Sequence, residues 1–225
     1  ITGWIVTLIA CSVYIMTAEA GGSLWDCGGF VSSCFKLQIP HPPGAPLFLL
    51  LGRFFSLFAG ADVTKVAYWI NMLSVLTSAL TVLFMHWTIV LIGRKAYQKP
   101  FSDLSQGETF TLLSAGFIGA LAYAFSDSFW FSAVEAEVYA MSSFFTAIVV
   151  WAAFKWELIE DEASANRWLI FIAYLVGLSI GVHLLNLVTV PALALLYYFK
   201  KTHKPSYKGG FLALLVGLVI LGVIN

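Results

Sequence analysis

A handful of side chains able to do acid, base or hydrogen-bond chemistry interrupt an otherwise apolar chain. They are Asp26, His41, Glu135, Glu137, His183 and Asn186. Asp26 sits in Trp25-Asp26-Cys27-Gly28-Gly29, where the two glycines remove bulk and let a ligand approach the carboxylate closely. A carboxylate so placed can act as a base toward a hydroxyl; the plainer reading is an N-cap for a helix starting near Gly28. Glu135 and Glu137 lie in an aromatic-rich segment, and carboxylates at membrane depth are costly unless paired, solvated or metal-bound. Two residues apart, they diverge on a helix and share a side in an extended loop. Ser179, His183 and Asn186 are spaced as one helical face, suited either to ligand contact or to helix–helix hydrogen bonding. His41 lies between Pro40 and Pro42, which hold it extended. His86, deep in an apolar run, reads as packing.

The elements that must position these groups are membrane helices. Sixty per cent of the 225 residues are hydrophobic, 11% are charged and mean hydropathy is +0.88, outside the range of soluble globular domains. Net charge is zero, so no basic surface argues for nucleic acid. The expected fold class is all-α, a polytopic transmembrane helical bundle. Spans are expected at 2–20, 66–92, 109–126, 138–156, 168–187 and 188–199, with a seventh beginning after Gly210. Residues 46–58 start with proline, carry Arg53 and are short, which suits an interfacial or re-entrant helix in the first outer loop. Asn71, Ser74, Ser78 and Thr81 should form a polar face turned into the bundle, and Gly116 and Gly119 should allow close helix approach. The chain opens without Met and stops within an apolar run, so residues 1–225 read as the N-terminal part of one longer transmembrane domain.

Nine of the twelve basic residues fall at the ends of spans two, four and six, which places those ends in the cytoplasm. Asp26, His41, Asp62, Asp127, Glu135, Glu137 and His183 then gather on the outer side. The acidic run Glu157–Glu162 reads as a solvated connector. Cys27 and Cys34 share a loop, but on one helix about 10 Å of rise would keep them from bridging. Walker A, dinucleotide-binding, zinc-protease and serine-hydrolase motifs are absent.

Five blocks occur in one order: Trp25–Gly28, His41–Pro46, Phe125–Trp130, Val134–Met141 and Gly181–Asn186. Together they resemble a bacterial membrane family, long labelled a domain of unknown function, related to eukaryotic transmembrane O-mannosyltransferases and grouped with the GT-C glycosyltransferases. The resemblance implies a GT-C-like enzyme of the bacterial inner membrane with its site on the periplasmic side. It would move a sugar, mannose among the candidates, from a polyprenyl-phosphate carrier to Ser or Thr of exported proteins. It puts the catalytic acid of the first outer loop at Asp26 and an acidic pair at Glu135 and Glu137. Substrate contacts are expected from Trp25, His41, Arg53, Glu135, Glu137, Tyr139, His183 and Asn186, with Arg53 or a histidine facing the leaving phosphate. A divalent cation, if used, would fall to Asp26, Glu135 and Glu137, although the first loop has no D-x-D. The rival expectation is a transporter or channel component whose carboxylates and histidines form a solute path.

Overall fold

The computed structural model describes every residue except His41, Pro43 and Asn225, and the described residues form helices and turns with no strand. Ten α-helices follow in order: α1 Thr2–Thr17, α2 Cys27–Lys36, α3 Pro46–Ser56, α4 Val66–Tyr97, α5 Gln106–Ala124, α6 Asp127–Ala133, α7 Val138–Glu157, α8 Glu162–Ile180, α9 Thr189–Lys201 and α10 Tyr207–Ile224. Local chemistry sets several boundaries. Pro46 opens α3 at a position where its missing N–H costs nothing. Ser105 and Glu108 form a capping box on α5, and the Asp161 carboxylate accepts from the Ser164 N–H to start α8.

α4, α7, α8 and α10 are long and apolar enough to cross a membrane, and a fifth crossing results if α5 and α6 are one span bent by 70°. This is a polytopic helical membrane protein. The elements differ from the expected spans in four places. α1 has 16 residues and α9 has 13, or about 24 and 20 Å of rise against the ~30 Å apolar core of a bilayer. The third span stops at Ala124 and turns sharply into α6, a short apolar helix within what reads as loop. The fifth stops at Ile180, with Gly181 as its C-cap, and the chain continues as a 3-10 segment, Leu184–Val188.

α4 is the spine, about 48 Å long, with α1, α3, α5 and α7 packed along it. Its polar stripe faces inward as expected: Asn71, Ser74, Ser78 and Thr81 are all buried. Gly116 lets α5 close onto α4, since a Cβ there would lie 2.6 Å from His86 Nδ1 and 2.8 Å from Val90 Cγ2. His86 is indeed packing, its Nε2 hydrogen-bonded to Thr2 Oγ1 at 2.9 Å.

The two ends of the bundle differ in charge. Lys95 pairs with Glu157, Lys99 with Glu108 and Lys201 with Glu162, while Lys200 donates to the Trp156 and Ile159 carbonyls at the end of α7. The acidic run stays largely exposed, with Glu157 and Glu162 paired to lysines. α2, α3, the α6–α7 link and the α8 terminus lie at the opposite end.

Gly116→Ala is expected to lower stability by about 1–3 kcal/mol, because the methyl group must displace packed side chains. Gly177→Ala, where a Cβ meets nothing within 4 Å, is expected to be neutral or slightly stabilising. Thermal unfolding of the two variants in the same detergent checks the difference.

Candidate functional site

Asp26 is delivered by a strained turn. Trp25 takes φ 61°, unusual for a bulky residue, and the chain reverses into α2, whose Phe30 N–H bonds the Asp26 carbonyl at 2.9 Å. The Asp26 side chain makes no capping hydrogen bond to α2; it lines a cavity of about 160 Å³ instead. Around that cavity stand Phe30, Ala45, Glu137, Tyr139 and His183. Two devices bring these distant segments together. The Leu47 N–H donates to the Gly181 carbonyl at 2.7 Å, tying the start of α3 to the end of α8. Phe30 packs edge-on to Phe48 at 5.4 Å, fixing α2 to α3.

His183 owes its placement to the end of α8. The chain turns extended there, and the ring Nδ1 accepts from the Leu185 N–H at 3.0 Å, capping the 3-10 segment. Accepting at Nδ1 fixes the neutral imidazole as the tautomer with hydrogen on Nε2, a donor. Burial holds the ring's pKa below its ordinary value, which keeps this neutral form. The Tyr139 ring lies 5.4 Å from it across the cavity wall.

The acidic pair divides. Residues 134–137 form a bent link between α6 and α7, in which the Glu137 N–H donates to the Glu135 carbonyl at 2.9 Å. Glu137 lines the cavity with Asp26, whereas Glu135 turns inward, 1% exposed, with Oε1 lacking a hydrogen-bond partner. Beside it is Glu19, a residue the sequence reading passed over, although a carboxylate closing an apolar helix was the available signal. The Glu19 N–H donates to the Val134 carbonyl at 3.0 Å, and Asn71 Nδ2 donates to the Glu19 and Gly21 carbonyls at 2.8 and 3.2 Å.

Three expected contacts go elsewhere. Arg53 donates to the Phe35 carbonyl at 3.0 Å and sits 5.2 Å above the Phe35 ring, so it fastens α3 to α2 and does not line the cavity. Asn186 is fully buried, donating to Ser179 Oγ at 2.7 Å and accepting from Thr146 Oγ1 at 3.0 Å, a packing role. The helical face that would have aligned it with His183 ends at Ile180. Trp25 is 85% exposed and is not part of the cavity lining. His41 lies outside the described residues. Cys27 and Cys34 are free and buried on α2.

No group of three His, Cys, Asp or Glu among the described residues could hold a metal ion, and Glu135 is not in the lining that Asp26 and Glu137 share; the set does not fit a cation. A second and larger cavity, about 520 Å³, lies below the first along α7, bounded also by α4, α5 and α9. Its lining mixes hydroxyls, among them Thr81, Thr88, Ser142, Ser143 and Thr146, with aliphatic side chains.

Burial, then the charges of Glu137 and Glu19, pushes the Glu135 carboxyl up from 4.5 to about 7. The folded protein thus holds this proton more tightly than the unfolded chain. Stability from this group is fullest in acid and falls as pH rises from about 4.5 to about 7. Glu135→Gln is expected to flatten that slope in melting curves recorded across this range; an unchanged slope would count against a protonated Glu135.

Comparison with known proteins bears on what the cavity serves. The family profile described as Protein O-mannosyl-transferase TMEM260 N-terminal domain matches residues 26–206. Protein O-mannosyl-transferase tmem260 of Dictyostelium discoideum is 24% identical over 202 residues, covering 87% of this chain and 22% of that protein. Protein O-mannosyl-transferase TMEM260 of Mus musculus is 27% identical over 180 residues, covering 80% of this chain and 22% of that protein. The chain thus spans about a fifth of the length of these curated relatives. No solved structure matches it. With some four-fifths of its residues inside the matched region, the chain belongs to the protein O-mannosyl-transferase TMEM260 N-terminal domain family.

Proposed function

We propose that the chain is the N-terminal part of one GT-C-like glycosyltransferase domain. It moves a sugar, mannose by analogy with its named relatives, from a polyprenyl-phosphate carrier to Ser or Thr of exported proteins. The observation that carries this reading is the convergence of Asp26, Glu137, Tyr139 and His183, from three separate parts of the chain, on one cavity at the end of the bundle opposite Lys95, Lys99 and Lys200. By the retention of basic residues in the cytoplasm, that end faces outward, the periplasmic side if the host is bacterial.

In the proposed reaction the Asp26 carboxylate takes the proton of the acceptor hydroxyl as its oxygen bonds the sugar's anomeric carbon. The bond from that carbon to the carrier phosphate breaks, and the phosphate leaves with the electron pair. His183 donates its Nε2–H to a phosphate oxygen, offsetting the developing charge without titrating. Tyr139 holds the His183 ring, and Glu137 supplies acceptor oxygens for sugar hydroxyls. Arg53 is assigned no part, because its guanidinium is engaged with Phe35. The larger cavity gives the first units of the carrier chain an apolar surface next to the site.

In the intact full-length protein, Asp26→Asn is expected to lower transfer about 10²–10⁴-fold with folding unchanged. His183→Asn, which keeps a group able to accept from Leu185 N–H, is expected to fold normally and lose kcat more than it changes KM. The assay is transfer of labelled sugar from a polyprenyl-phosphate donor to a secreted acceptor. Full activity in Asp26→Asn would remove that residue from the mechanism.

A further inference from the structure

Two cations at the end of the bundle opposite the candidate site are left without a carboxylate. Lys95 pairs with Glu157 and Lys99 with Glu108, whereas Arg94 and Lys155 form no ion pair among the described residues. Each stands over an aromatic ring instead, Arg94 5.0 Å from the centre of Phe101 and Lys155 Nζ 6.0 Å from that of Trp151. Both belong to the last turn of their helices, where a positive charge offsets the free carbonyls. That role does not account for the space beside them.

An apolar groove of about 320 Å³ is walled by Trp87, Val90 and Leu91 of α4, Trp151 and Lys155 of α7, and Phe101 of the 3-10 turn Phe101–Asp103. Three residues further along each helix, Leu91 gives way to Arg94 and Lys155 to Leu158, and these line an open depression of about 470 Å³ with Lys95, Lys99 and Glu160. The two spaces therefore follow one another along the α4–α7 seam, with Pro100 and Phe101 beside both. Tryptophans mark the depth of the first: Trp4, Trp87, Trp151 and Trp168 touch in sequence, with ring centres 6.1, 5.6 and 5.7 Å apart. Such a belt forms where hydrocarbon meets headgroups. Together the linings hold four cations and one carboxylate, the exposed Glu160. With Lys95 and Lys99 neutralised by their own partners, the seam keeps one positive charge in excess.

We propose that this seam binds an anionic glycerophospholipid of the leaflet on the lysine side, its phosphodiester between Arg94 and Lys155 and one acyl chain in the groove beside Trp87 and Trp151. One phosphodiester cancels the excess charge, and guanidinium and ammonium groups are strong donors to its oxygens. A zwitterionic lipid would bring a further cation to the same place. Free phosphate would leave the apolar half unfilled. Basic pockets between membrane helices on the cytoplasmic side, where the retention of lysine and arginine puts this end, suit anionic headgroups. The inference does not rest on the glycosyltransferase reading.

Native mass spectrometry of the intact full-length protein in neutral detergent tests it, with phosphatidylglycerol and phosphatidylcholine of identical chains as probes. The native protein is expected to bind phosphatidylglycerol more tightly. Arg94→Gln/Lys155→Gln is expected to reduce that preference about 25-fold, at roughly five-fold per cation. Arg94→Lys/Lys155→Arg, which keeps both charges, should retain most of it. Lys204→Gln/Lys208→Gln removes two charges outside both linings and should leave it unchanged. An undiminished preference in Arg94→Gln/Lys155→Gln would overturn the proposal. So would an equal loss in either of the other two variants, or displacement of phosphatidylglycerol by millimolar inorganic phosphate.

Discussion

Hydrocarbon accepts neither unpaired backbone groups nor stray charge, and the rest of this structure follows from how one long helix meets that constraint. α4 carries no ionisable residue between Lys65 and Arg94 apart from His86 and Tyr68, and its hydroxyl and amide groups turn inward. Six helices, α1, α2, α3, α5, α6 and α7, touch it, so the elements around the candidate site are positioned by reference to its outer end. Ionisable side chains are thereby pushed to the junctions where helices stop: Asp26 before α2, Glu135 and Glu137 between α6 and α7, and His183 after α8.

A helix that stops at the membrane boundary leaves polar groups in search of partners, and the candidate site is assembled from such stops. The Gly181 carbonyl finds the Leu47 N–H, and the Leu185 N–H finds the His183 ring. The first bond joins segments more than a hundred residues apart, and His183 and Asp26 end up in the lining of one cavity. At the other end lysines close carbonyls and carboxylates in the same manner, beside an open depression lined by Arg94, Lys95, Lys99 and Glu160. The two ends of the bundle thus differ in which charged groups line their surfaces.

Much of this was legible in the chain. Four polar residues at three- and four-residue steps announced the inward face of α4, and Gly116 announced where α5 closes onto it. Asp26, Glu137 and His183 were visible as polar interruptions. What the chain hid were the places where spacing alone misleads. Ser179, His183 and Asn186 fit one helical face, yet Gly181 ends the helix among them and sends Asn186 into the core. Arg53 looked free to meet a phosphate because nothing local reveals that the Phe35 carbonyl, from another helix, will claim it. Glu135 and Glu137 separated because the link between α6 and α7 is bent, neither helical nor extended throughout.

The central claim is that the headgroup of a lipid-linked sugar occupies the space between Asp26 and His183. A cryo-electron microscopy structure of the intact protein bound to a polyprenyl-phosphate sugar tests it most directly. The account predicts the sugar phosphate within hydrogen-bond reach of both the Asp26 carboxylate and the His183 Nε2. Density for that headgroup at the opposite end, among Arg94, Lys95 and Lys99, would contradict it.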